Sequence, residues 1–211
     1  MEIHPDDPDL RRLGESGRVV AYFGYGSLVN RLTLRTKFLA IRRAEVVGWR
    51  RFWTPRGGDL GPALLSVARE EGEVVQGVVV YDHADHLPAV DEREVGYDRR
   101  IVEPARVTIE APPLSGVPLH IYEAPRLATV EGAAAPPILQ SYLDAVLQGF
   151  LVLYGEAGVR RFVSRTEGFA RTILADRHAP RYPRAVRLAD EDAALFDRLV
   201  REAGARVEQC P

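Results

Sequence analysis

The stretch VVAYFGYGSLV, residues 19–29, decides how this chain is read. Residues 19–24 are apolar and rich in strand formers, which predicts a buried strand. That strand runs into Gly24 and Gly26, one residue apart, with the hydroxyl of Ser27 directly behind. Glycine at such a place serves a turn that other residues resist, or a close approach of another group to the backbone. Three familiar glycine motifs do not fit. A dinucleotide fingerprint needs a third glycine where Val29 stands, and a P-loop needs a lysine before the hydroxyl residue. A nucleophile elbow needs glycines where Tyr25 and Val29 flank Ser27. Two readings stay open: a tight turn that closes the strand, and a nest of backbone N–H groups that holds an anionic or strongly polar ligand group.

Outward from this strand, SLVNRLTLRT (27–36) reads as a loop or short helix. Residues 38–53, 63–70 and 74–81 read as further strands, with a turn-rich connection at RGGDLGP (56–62). ADHLPAVDEREVGY (84–97) changes character, because its apolar residues recur at helical spacing. Pro88 suits a first turn there, Asp85 is a candidate cap, and Gly96 suits the stop. RRIVEPARVTIE (99–110) and LHIYEA (119–124) return to strand composition, and EGAAAPP (131–137) is linker-like. ILQSYLDAVLQGFLVLYG (138–155) is the clearest helix, followed by AGVRRFVSRT (157–166) and EDAALFDRLVREAG (191–204). Strands dominate the first half and helices the second. This predicts an α+β fold with a small curled or barrel-like mixed β-sheet and flanking helices concentrated in the C-terminal half. Residues 1–17 read as a loose leader and 18–211 as one domain, with a helical extension from about residue 156.

Composition bounds the function. The N-terminus is polar and acidic, without the pattern of a signal or transit peptide, and no apolar run is long enough to span a bilayer. A cytoplasmic protein without membrane partners is expected. The single cysteine, Cys210, excludes an internal disulfide framework, and its place at the chain end is a poor one for a catalytic thiol. Lys37 is the one lysine among 28 basic residues, which points to the codon bias of a GC-rich, bacterial genome. That bias explains RTKFLAIRRAEVVGWRRFW (35–53), where arginines alternate with aromatics as in a nucleic-acid groove. The net charge of -2 leaves no basic excess, so a strand pair with solvated arginines is expected and no nucleic-acid partner. HADH (83–86) spaces two histidines as a metal pair can be spaced, yet no third ligand is evident, and solvated histidines at a helix start are expected.

The second informative segment is VDEREVGYDR (90–99). On a helix, Leu87, Val90, Asp91 and Glu94 share one side and Glu92 points away. Two carboxylates then lie on an otherwise apolar face, which is costly unless they are paired or used. One reading is a general base made more basic by burial and by a second carboxylate. The other is an ion pair of Glu94 with Arg99 or Arg100.

Taken together, YFGYGSLV and DEREVGYDRR resemble the γ-glutamylcyclotransferase superfamily, including its ChaC-like branch. Tyr25-Gly26-Ser27-Leu28 is similar to the family's strand-ending Y-G-S-x-L-type loop, and Asp91-Glu92-Arg93-Glu94-Val95-Gly96-Tyr97 to its D-x-R-E-x-G-Y-type segment. Tyr142 and, more weakly, Tyr122 resemble family tyrosines on a late helix and near a strand end. The resemblance covers about residues 19–155; a single glycine stands before Tyr97 where a pair is common, and the segment beyond 155 matches nothing in the family pattern. It implies an enzyme whose substrate attacks itself. The α-amine of a γ-glutamyl amide closes on its own γ-carbonyl, releasing 5-oxoproline and a free amine, amino acid or dipeptide. It implies Glu94 as catalytic acid–base and Tyr25, Gly26, Ser27, Leu28, Tyr97, Tyr122 and Tyr142 as substrate-binding residues, with no metal and no cofactor. On spacing alone, Tyr142 with Leu139, Val146 and Phe150 also reads as core. The alternatives are a binding module for the same metabolites without turnover, and a cyclotransferase acting on another γ-glutamylamine. The leaving group, among them glutathione, and the oligomeric state are not legible.

Overall fold

The computed structural model describes residues 6–34, 37–55, 61–111, 113–124 and 135–209. The connection at 56–60, most of the 131–137 linker and Cys210 lie outside them. The fold is α+β, with a mixed sheet, and most helical residues fall after residue 139, as the composition implied. The chain divides into two compact units, residues 1–49 with 69–124, and 50–68 with 125–211. Among the described residues no helix is long and apolar enough to cross a membrane.

In the first unit, β1 (Val19–Gly24) is buried at all six residues, as its composition requires. It pairs antiparallel with β3 (Leu64–His83) and parallel with β6 (Leu119–Glu123). β4 (Asp98–Ile101) lies antiparallel to β6, and β5 (Val107–Ile109) antiparallel to β2 (Ala40–Thr54). The order is β4-β6-β1-β3-β2-β5, a path with two ends and not a closed barrel. The segments at 63–70 and 74–81 are one strand instead of two. The intervening glycine, Gly72, sits inside β3 with φ +86°, and Gly48 does the same in β2 at +92°; both strands carry a left-handed residue without stopping. Helix α1 (Leu10–Glu15) buries Leu10 and Leu13, and a backbone bond from Asp7 N–H to Leu39 O ties the preceding residues to the start of β2.

The second unit contains the far end of β2, where Arg51 and Phe52 pair in parallel with β8 (Thr166–Glu167). A three-stranded sheet joins β7 (Ile138–Leu139), β9 (Thr172–Ala175) and β10 (Arg206–Gln209). Helix α3 (Gln140–Arg165) merges the two helices expected at 138–155 and 157–166, with Gly155 non-helical between them. Leu147, Phe150, Val159 and Phe162 are fully buried along it. Buried Asp176 accepts the Ser141 N–H at 2.7 Å and its hydroxyl at 2.6 Å, satisfying donors at the helix start. Asp144 accepts two bonds from Arg177, at 2.8 and 2.9 Å. Burial raises the Asp144 pKa despite this partner, while its hydrogen bond raises that of Arg177. Helix α4 (Asp190–Glu202) opens with three acidic residues, which suits the positive end of the helix dipole.

The aromatic residues of the arginine-rich stretch are core: Trp49, Phe52 and Trp53 are buried. Its arginines are not all solvated as expected. Arg51 is buried, with its guanidinium 4.5 Å from the Phe162 ring centre, whereas Arg43 stays at the surface, paired with Glu110.

Candidate active site

The site residues of the first unit are gathered by the end of β1, the loop behind it, and a short helix. The two glycines that open the problem have separable reasons. After Gly24 the chain folds into two successive tight turns, Ser27–Val29 and Arg31–Thr33, which returns Leu28 over the strand end. A Cβ on Gly24 would lie 2.7 Å from Leu28 Cβ, and a Cβ on Gly77 of β3 would overlap the Gly24 carbonyl oxygen. Gly24 is therefore demanded by close packing of the loop on its own strand.

Gly26 opens the first of the two turns. Gly26, Ser27 and Leu28 are buried, and among the described residues their N–H groups meet no acceptor. Their neighbours are bonded: Val29 N–H donates to Gly26 O, and Asn30 N–H to Ser27 O, both at 3.0 Å. Three successive N–H groups left open at a strand end have the arrangement of a backbone nest, which can hold an anionic or strongly polar group. The Thr33 hydroxyl closes the turn on Ser27 O at 2.6 Å. The Tyr25 hydroxyl leaves the loop to bond Tyr122 O in β6 at 2.7 Å.

Helix α2 (Leu87–Arg93) carries the second half of the site. Pro88 lies in its first turn as expected, but Asp85 is not its cap; a separate tight turn at Ala84–His86 precedes the helix, and His86 stands at the N-cap. The helix ends one residue before Glu94, which has φ -98° and ψ 25°, and Gly96 then turns the chain at φ +95°. Among the described residues the ion pair of Glu94 is with Arg93, where Arg99 or Arg100 was expected. Its carboxylate lies 3.3 Å from Arg93 Nε, with the two side chains only 17% and 14% exposed. Arg99 instead holds Asp91 at 2.9 and 3.1 Å, and Arg100 holds Asp98 and Glu123. Tyr97 N–H bonds Glu94 O, and its ring is half-buried.

A layer of polar side chains holds α2 from the sheet side. The Tyr122 hydroxyl donates to Asp91 at 2.6 Å. Fully buried Asp82 accepts from Tyr22 at 3.2 Å and His83 N–H at 2.8 Å, and lies 2.7 Å from His86 Nδ1. His86 is thus half-buried and partnered, where a solvated histidine was expected. Burial, then the Asp82 carboxylate, pushes the Tyr22 hydroxyl far above the tyrosine range; burial, then the bond to Asp91, does the same to Tyr122. Both stay neutral donors at any ordinary pH. Among the described residues no group of three or more His, Cys, Asp or Glu side chains is arranged to hold a metal ion.

Tyr25, Gly26, Ser27, Leu28, Glu94, Tyr97 and Tyr122 all fall in the first unit. Tyr142 lies in the second, edge-on to Trp53 and Tyr182 at 5.9 and 5.0 Å between ring centres. Sequence reasoning missed Arg93, whose fork reaches Ser27 Oγ at 3.1 Å and Thr33 O at 3.3 Å, and the Tyr22–Asp82–His86 group. The signal for the latter was Asp82 itself, a carboxylate closing an apolar strand.

The fold is similar to two solved structures. One is a γ-glutamyl cyclotransferase, 16% identical, with a TM-score of 0.53, covering 85% of this chain and 99% of that one. The other is an uncharacterized protein from Homo sapiens, 17% identical, with the same TM-score and coverage. No curated protein sequence matches the chain. Residues 22–134, more than half of the chain, match the model of the family described as gamma-glutamyl cyclotransferase, AIG2-like. That stretch holds both the glycine loop and the Glu94 segment, and the chain belongs to this AIG2-like γ-glutamyl cyclotransferase family.

Proposed function

We propose that the chain is a γ-glutamylcyclotransferase that releases 5-oxoproline from a small γ-glutamyl amide. The observation that supports this reading is the pairing of three N–H groups at Gly26–Leu28, which meet no acceptor among the described residues, with a nearly enclosed carboxylate, Glu94, through one arginine. The reaction needs those two elements. Glu94 takes a proton from the α-ammonium, and the freed amine attacks the γ-carbonyl carbon within the same molecule. The new C–N bond closes a five-membered ring and leaves a tetrahedral oxyanion, which the N–H groups of the loop accept. The bond to the leaving nitrogen then breaks as Glu94 returns its proton to it, and the second proton of the ring nitrogen passes by the same carboxylate to the freed amine, which departs as the ammonium. Water takes no part, and enclosure of the carboxylate favours ring closure over hydrolysis. Ser27 and Tyr97 flank the substrate. Tyr25 and Tyr122 serve it from behind, since their hydroxyls are engaged by Tyr122 O and Asp91.

The test is 5-oxoproline release from glutathione, γ-glutamyl-alanine and a γ-glutamylamine, with Glu94→Gln as control. Release by the natural chain and loss of about 100-fold or more in the variant is expected. A folded protein that is stabilised by these compounds yet releases nothing would instead be a binding module.

A further inference from the structure

We propose that Arg93 is the positioning residue of this site: its guanidinium clamps the Gly26–Leu28 loop to the Glu94 carboxylate, so that oxyanion donors and proton carrier move as one unit. The inference rests on the cyclotransferase reading and assigns a task to a residue outside the chemistry itself. The three nitrogens of Arg93 each have a partner: Nε faces Glu94 at 3.3 Å, Nη2 donates to Ser27 Oγ at 3.1 Å, and Nη1 donates to Thr33 O at 3.3 Å. The partners come from both halves of the site, and Thr33 is itself bonded to Ser27 O at 2.6 Å and Asn30 O at 3.0 Å. By gripping Ser27 Oγ and Thr33 O together, Arg93 holds both successive turns of the loop.

The direction of the fork separates positioning from direct binding. Both Nη atoms are turned onto the loop, and the side chain is 14% exposed, so its planar edge is occupied by the protein. A lysine cannot replace it, because one compact ammonium cannot span three acceptors fixed by a planar fork. The chemistry is sensitive to such a clamp: productive geometry is needed to within about 0.5 Å, and a displacement of about 1 Å costs about 100-fold in rate.

The test compares the full chain with Arg93→Ala and Arg93→Lys, with Glu94→Gln alongside. Three quantities are measured: kcat and KM for 5-oxoproline release, and backbone amide exchange over residues 27–34. The bonded amides of Val29, Asn30, Thr33 and Leu34 report the loop. Both arginine variants are expected to lose about 100-fold in kcat with KM within about threefold, and to exchange those amides about tenfold faster or more. Arg93→Lys carries the test if Arg93→Ala fails to fold. A kcat within about threefold of the natural chain, with unchanged exchange, overturns the proposal. A rise in KM with kcat kept also overturns it, in favour of an arginine that binds substrate directly. Absence of turnover in the natural chain removes the cyclotransferase reading alone, and amide exchange then decides the clamp: faster exchange supports it and unchanged exchange overturns it.

Discussion

Helices α2 and α3 are held by different balances of apolar burial and polar bonding. Helix α3 buries Leu143, Ala145, Val146, Leu147 and Phe150 before Gly155, and Val159 and Phe162 after it. Helix α2 buries only Val90 and is otherwise fastened by directional polar bonds: His86 to Asp82, Asp91 to Tyr122 and Arg99, and Arg93 to the loop. Apolar burial is non-directional, and secures a helix against the core without fixing the aim of any one atom. Hydrogen bonds weaken steeply when misaligned, and so fix where atoms point. The helix that delivers the candidate base relies chiefly on the second kind; the scaffold helix relies chiefly on the first, with its polar bonds from Ser141 and Asp144 placed near its start.

The contrast makes predictions of decreasing size. Phe150→Ala in α3 should cost about 3–5 kcal/mol of stability, read by urea unfolding, with kcat of the remaining folded protein unchanged. Loss of activity in step with stability would erase the distinction between the helices. Asp82→Ala should cost about 3 kcal/mol, because it strands the buried Tyr22 hydroxyl, the part-buried His83 N–H and the half-buried His86 at once. A loss no larger than that of a surface substitution would show that α2 does not depend on this anchor. Gly24→Ala should cost about 2 kcal/mol, since the added methyl meets Leu28 and the loop must shift. Its activity should fall further than its thermal stability suggests. Tyr122→Phe should cost only about 1 kcal/mol, because its partner Asp91 is 43% exposed, yet lower kcat about tenfold by releasing α2.

The smallest effect is a pH dependence. Burial, and then Arg99, lower the His120 pKa below its ordinary 6.5. The unfolded chain then binds the proton more readily, so this group's contribution is full above 6.5 and is lost as pH falls through the lowered value. Thermal unfolding between pH 7 and pH 5 should be less acid-sensitive in His120→Gln. An identical profile would show that His120 does not contribute to acid lability.

What was legible in the sequence follows the same division. Strand β1 was readable to the residue because burial on both faces forces an unbroken apolar run, VVAYFG. The side chains around Glu94 were not, because their partners depend on where α2 stops. The helix ends at Arg93, and Glu94, just past its end, lies against Arg93 beside it. Strand β3 was read as two because EGE and Gly72 look like a turn, whereas tertiary pairing carries the strand through. Strands β7 to β10 are two to four residues long, too short for a periodic signal, and arise from pairings distant in the chain. The glycine loop was legible as a turn with donors; its link to Glu94 through Arg93 was a property of the fold.

The interleaving of the two units has a consequence for synthesis. The first takes residues 1–49 and 69–124, and the second takes 50–68 and 125–211. A chain emerging from the ribosome through residue 124 holds every residue of the first unit, and also the 50–68 segment, whose companions have not yet been made. At about 5–20 residues per second that wait lasts seconds. In that interval Phe52, Trp53 and Leu65, all buried in the finished protein, are without the residues of their own unit from 125 onward. The nascent chain therefore offers that segment to aggregation and to chaperone capture, and stalled chains ending near residue 124 should bind a holdase there and release it once residue 211 has emerged.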